Sequence, residues 1–269
     1  MAVGAAEKPR LRDNRTVAYV APFIAFMVLL AVKDLPGVRI ENDDLPWWKH
    51  APEHWIYPLQ TIIALGLVGY FWKNYTFRPL KGIGFGAIIG VLGIMVWILP
   101  SWLYDVWNVT DWTQPEWMEK LPFINEDRNI WAMLGLSPRA EGFDPTIFSH
   151  NPTAYWATVI VRFVRMTVAV AFLEELFWRG FLWRYFVNMD RPFWKTEFGI
   201  KKWKPIALTI GLFVLVHAPE DYLACIIYGI LISWVALRTK SLAACVVCHA
   251  VSNFILGIYI MQTGKWGLW

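Results

Sequence analysis

Residues 83–103 read IGFGAIIGVLGIMVWILPSWL, twenty-one positions without a charged side chain. An α-helix needs about 20 apolar residues to cross the hydrocarbon core of a bilayer. Further apolar runs cover roughly 17–33, 55–72, 154–187, 205–218, 222–237 and 241–262. The chain of 269 residues is 57% hydrophobic and 17% charged, whereas soluble domains carry about 25% charged residues. The apolar residues form continuous runs and do not alternate with polar ones. The expected fold class is therefore all-α: a polytopic transmembrane helical bundle of seven to eight spans. The run 154–187 exceeds one span and contains Arg162 and Arg165. It reads as an interfacial helix followed by a span, or as two spans joined by a tight turn.

Eighteen tryptophans crowd the ends of these runs, among them Trp47, Trp48, Trp55, Trp102, Trp107, Trp203, Trp266 and Trp269. The indole has an apolar body and an N–H that needs a partner, so it favours the headgroup boundary. Three cysteines, Cys225, Cys245 and Cys248, lie in apolar stretches, which argues against a secreted disulfide framework. The first apolar run is followed by charge and lacks a small-residue cleavage site, so it reads as a retained span. The net charge is only +4. Its bases sit in short loops between runs, a pattern of membrane orientation and not of nucleic-acid binding.

Loop charges alternate in sign. Residues 1–16 carry a net +2, 34–54 a net −3, and 188–204 a net +3, while 73–81 holds Lys73, Arg78 and Lys81 with no acid. Residues 104–152 have eight acids against Lys120, Arg128 and Arg139, a net −5. The positive-inside rule then makes 1–16 a cytoplasmic basic tail, with 73–81, 188–204 and 238–240 also cytoplasmic. The proline-rich segment 104–152 becomes a long non-cytoplasmic loop. No internal repeat divides the chain, so a single membrane domain, 1–269, is expected. The expected location is the bacterial plasma (inner) membrane.

Charge inside the apolar runs calls for an explanation, because one ionised group at mid-bilayer costs at least about 2.5 kcal/mol. Residues 171–183, AFLEELFWRGFLW, carry Glu174, Glu175 and Arg179. Glu175 and Arg179 are i,i+4 with the acid N-terminal, the favourable order for an ion pair. Glu174 points about 100° away and is free to meet another helix. His217 follows Phe213 by four residues, and Asn253 follows His249 by four. Three helices thus each bring polar groups into the membrane. Interhelical hydrogen bonding would account for any one of them, but it does not call for two adjacent carboxylates and two histidines. Together they suit activation of water and stabilisation of an oxyanion.

These residues resemble the motifs E-E-x-x-x-R, F-x-x-x-H and H-x-x-x-N of the CAAX prenyl protease and bacteriocin-processing family of intramembrane proteases, also called the abortive-infection family. Here they read Glu174-Glu175-Leu176-Phe177-Trp178-Arg179, Phe213-Val214-Leu215-Val216-His217 and His249-Ala250-Val251-Ser252-Asn253. The resemblance covers roughly 165–262, the expected catalytic core. The length and loop layout resemble a CAAX-protease-related bacterial subgroup that accompanies protein-sorting systems. The family implies a polar chamber opening to the cytosol and sideways to lipid. It implies that Glu174 with His217 activates water, that His249 and Asn253 stabilise the oxyanion, and that Glu175 and Arg179 hold the site together. The implied function is an intramembrane endopeptidase acting on a membrane-anchored or lipidated protein or peptide, related to CAAX C-terminal processing and with no cofactor.

Three other readings are open on the residues alone. Glu174, His217 and His249 could supply three zinc ligands and an open position for water, giving a zinc-dependent hydrolase. Cys245-Val246-Val247-Cys248-His249 is literally C-x-x-C-H, the c-type haem attachment pattern, though it sits in an unbroken apolar run. A non-catalytic scaffold or complex subunit could also retain the fold. His50 and His54 are i,i+4, but Pro52 between them suggests a loop with surface histidines.

Overall fold

The computed structural model describes residues 10–40, 42, 44–109 and 130–269. Glu7 and Lys8 of the basic tail, Glu41, Asp43 and loop residues 110–129, with Pro115, Lys120, Pro122 and Arg128, lie outside the described residues. The protein is all-helical, with no strand among the described residues. Two compact units divide it, Met1–Thr76 and Phe77–Trp269.

The first unit is a helical hairpin. Helix α1, Arg15–Val32, opens on Asn14, whose side chain accepts hydrogen bonds from the amides of Thr16 and Val17. Helix α2, Glu53–Tyr70, packs against it, and the buried Gln60 donates to the Phe26 carbonyl at 2.6 Å. The Arg39 guanidinium bonds Glu53 at 2.5 Å. His54 does not lie on the surface as its sequence context suggested. Pro52 precedes α2, and His54 is buried in the first turn of that helix.

Among its described residues the second unit holds five longer helices: α3 (Ile83–Val106), α4 (Pro152–Val187), α5 (Trp203–Leu215), α6 (Tyr222–Thr239) and α7 (Leu242–Thr263). Among the described residues, five segments are long and apolar enough to cross a membrane: α1, α3, α4, α7 and Pro219–Thr239, which contains α6. Helix α2 has the length but is less apolar, and α5 is shorter. The outer face of α3 leaves Ile88, Leu92, Met95, Leu99 and Trp102 exposed along its length. Such a stripe has no place in water, and lipid covers it in an integral membrane protein.

Helix α4 corrects the reading of 154–187. It is one helix of 36 residues, with neither a break nor a turn. At 1.5 Å per residue it is about 54 Å long, well beyond the ~30 Å hydrocarbon core. Asn151 caps its start, accepting from the Ala154 amide, and Pro152 fills the first helical position. Two wide π-helical stretches, Arg165–Val170 and Leu176–Leu182, flank Ala171–Glu175. Such widened turns mark single sites in otherwise regular helices and are frequent where function is located.

Close packing fixes α7 beside α3. A Cβ on Gly86 would lie 2.3 Å from the Ala244 carbonyl oxygen, and one on Gly90 would lie 2.4 Å from that of Cys248. Only bare glycine faces allow this approach, the usual device where apolar side chains gain nothing by leaving lipid. Ser252 then donates to the Gly90 carbonyl at 2.9 Å. This register sets the height of His249 and Asn253. Gly90→Val is expected to force the helices apart and destabilise the protein by about 1–3 kcal/mol, seen as a lowered melting temperature in detergent.

Candidate active site

Glu175 is fully buried on α4. Its Oε1 accepts a bond from Arg179 Nη1 at 3.1 Å, the helical i,i+4 pair, and a second from His249 Nδ1 at 2.9 Å. Two of the motifs therefore meet on one oxygen. The Arg179 guanidinium, also buried, lies over the Phe213 ring at 5.3 Å. That ring touches the His217 imidazole, centroid to centroid, at 4.5 Å. The contacts run from His249 through Glu175, Arg179 and Phe213 to His217, so all three motifs share one centre. The spacing of a phenylalanine four residues before a histidine acquires a physical meaning here: Phe213 is the wall between a cation and an imidazole.

His217 follows the last turn of α5, where helical carbonyls lack intrahelical donors. Its Nδ1 donates to the Phe213 carbonyl at 2.7 Å. That bond sets the tautomer and leaves Nε2 as an acceptor. The ring also stands edge-on to Trp97 of α3, 6.0 Å away. His249 faces the Tyr228 ring of α6 at 5.8 Å.

Glu174 is 9% exposed, and its Oε2 has no hydrogen-bond partner among the described residues. The adjacent acids differ in their partners: Glu175 Oε1 accepts from Arg179 and His249, neither of these bonds Glu174, and the Oε2 of each acid is buried without a partner among the described residues. Asn253 donates Nδ2 to the Met166 carbonyl at 2.7 Å, inside the first π-helical stretch of α4. One of its two N–H groups is thus committed to backbone. The C-x-x-C-H run lies wholly within α7, with both thiols buried. Among the described residues, no three His, Cys, Asp or Glu side chains group as a metal ion would require.

The sequence reading missed an ion pair beside His217. Asp221 is bonded to Arg139 and lies within electrostatic reach of His217. Asp221 is four residues beyond His217, a spacing visible in HAPED, but Pro219 breaks the helix between them. Arg139 comes from the far end of the long loop, where no periodicity marks it.

Comparison with family models matches residues 156–255 to the family described as Rce1-like: type II CAAX prenyl endopeptidase Rce1-like. Residues 156–255 form an Rce1-like domain. It contains all three motifs, and it is the domain of a CAAX-type intramembrane protease family. No curated protein and no solved structure matches the chain.

Within the Rce1-like domain, Glu175 and Arg179 act first as a structural pair. Arg179→Met strips a buried carboxylate of its guanidinium, and a loss of about 3–5 kcal/mol is expected. The double change Glu175→Leu with Arg179→Met removes both charges and should recover most of the melting temperature. A single variant that melts like the wild type would remove the pair from the account of stability.

Proposed function

We propose that the protein is an intramembrane endopeptidase that hydrolyses a peptide bond of a membrane-anchored or lipidated substrate, using water activated by Glu174 and His217. The observation that supports this reading is the difference between adjacent acids: Glu175 Oε1 accepts from both Arg179 and His249, whereas Glu174 has neither of these partners and a buried Oε2 with no hydrogen bond among the described residues. A general base needs a free lone pair in a site that excludes bulk water.

Water bonded to Glu174 and to Nε2 of His217 loses a proton to this pair and attacks the peptide carbonyl. The carbonyl oxygen becomes negative in the tetrahedral intermediate. His249, as an imidazolium, donates Nδ1–H to Glu175 and Nε2–H to that oxygen. The second N–H of Asn253 adds to it, while the first stays on Met166. Collapse of the intermediate breaks the C–N bond, and the proton held by the Glu174–His217 pair passes to the leaving amine. No covalent enzyme intermediate and no metal step enter this scheme. Donors aimed at a developing oxyanion in a dry site are a large source of rate.

The membrane is the bacterial plasma membrane in this reading, with the N-terminus in the cytoplasm as the loop charges imply. The substrate is a membrane-associated polypeptide, with a protein-sorting system as one setting.

Glu174→Gln and His217→Ala are each expected to lower hydrolysis of a lipid-anchored reporter peptide by about 10²–10⁴-fold, with melting temperatures near wild type. The measurement is single-turnover cleavage by the purified protein in lipid nanodiscs. Full activity in Glu174→Gln would end the assignment.

A further inference from the structure

The catalytic turn has a second neighbour. Segment 130–141, in the second half of the long loop, packs against α3 and against the turn that follows His217. A Cβ on Gly135 would lie 2.8 Å from Pro100 and 3.2 Å from the Glu220 carbonyl oxygen. Between this segment, the Pro219–Asp221 turn and the C-terminal residues lies a cavity of about 510 Å³, lined by Ala132, Ser137, Arg139, Glu141, Glu220 and Gly267, among others. Its walls are held firmly: the Gly267 amide donates to the Arg139 carbonyl at 2.8 Å, and a Cβ on Gly142 would strike the Trp266 carbonyl.

The charges in this cavity do not balance. Arg139 is the cation among its described lining residues, and its Nη2 is bonded to Asp221. Glu141 and Glu220 remain, with no hydrogen bond or ion pair to either side chain among the described residues. Lys265, the nearest base along the C-terminal segment, is committed to Asp105 and to Ser101. Three carboxylates thus face one guanidinium. Two further groups point to a ligand. Ser137 is 8% exposed and its hydroxyl has no partner, and the buried Nε of Arg139 has none either. Those are donors for a peptide carbonyl, set beside acceptors for a cation.

We infer that this cavity is a substrate subsite, which takes a lysine or arginine side chain of the peptide on Glu141 and Glu220 and a backbone carbonyl on Ser137 and Arg139. This deepens the peptidase reading and rests on it for the word substrate. Glu220 is three residues from His217, so a side chain seated there belongs to a peptide already at the catalytic turn. A bare metal ion fits less well, because no three carboxylates group at liganding distance among the described residues. Carboxylates in a partly enclosed cavity attract a cation more strongly than exposed ones do.

The test uses a fluorescein-labelled, lipid-anchored peptide in which one lysine is walked along an alanine–leucine sequence, each peptide paired with its norleucine twin. Binding to the full chain carrying Glu174→Gln is read by anisotropy in phosphatidylcholine nanodiscs. At one or two positions lysine should bind about tenfold tighter than norleucine, and Glu141→Gln with Glu220→Gln should bring the ratio within about twofold of one. Equal binding of the twins at every position overturns the subsite, as does a preference that survives the double variant. Displacement of the peptide by millimolar calcium at fixed ionic strength would reassign the cavity to a metal ion. The same peptides given to the wild-type protein test cleavage separately: no hydrolysis of any peptide ends the peptidase reading and leaves the binding ratio to judge the cavity.

Discussion

A carboxylate with no access to water organises this protein. Glu175 cannot be solvated where it lies, so its charge must be met by the chain itself. Arg179, one helical turn away, meets it locally, and His249 meets it from another helix. The second bond ties α7 to α4 at one height. The guanidinium in turn places Phe213, and Phe213 places His217. Each group is oriented by the previous one, and the cost of an unpaired charge in this setting enforces the order.

That arrangement makes two neighbouring glutamates inequivalent: Glu175 Oε1 accepts from Arg179 and His249, and neither of these groups bonds Glu174. A separation of one residue, or about 100° of helix, puts Glu175 against the protein core and turns Glu174 elsewhere. The π-helical stretches on either side widen α4 where it must present both. Asn253 then takes a backbone carbonyl of the first stretch, so the widened turn and the third motif are joined.

Much of this was legible in the sequence, and the rest was hidden for identifiable reasons. Helical spacing alone pairs Glu175 with Arg179, because i,i+4 contacts depend on nothing beyond the helix. The bond from His249 depends on the register of α7 against α3, which Gly86 and Gly90 set by what they lack. The 36-residue α4 escapes a hydropathy count, which assumes about 20 residues per span, because nothing in such a count marks a helix that continues past the lipid. Arg139 and Asp221 are 82 positions apart, and their pairing is a tertiary fact. His54 is drawn inside by the start of α2, which the proline before it marks just as readily as a loop.

The short helix α5 decides from which side the site can be reached. It begins after the basic segment 188–204 and ends at Leu215, about 20 Å on, too short to cross the ~30 Å core. The turn that carries His217 therefore comes before a full span is complete, and segment 130–141 packs against the residues that follow it. Irregular backbone at such depth is tolerated where protein buries it or where it lines a polar cavity, and both conditions hold at Arg139 and Glu220. A missing length of helix leaves room for a polar recess lined by Arg139, Glu141 and Glu220, the last being three residues along the chain from the histidine. In the proposed reaction water and the polar part of a peptide use that recess, the apolar part stays in lipid, and the bond between the two is presented to Glu174 and His217.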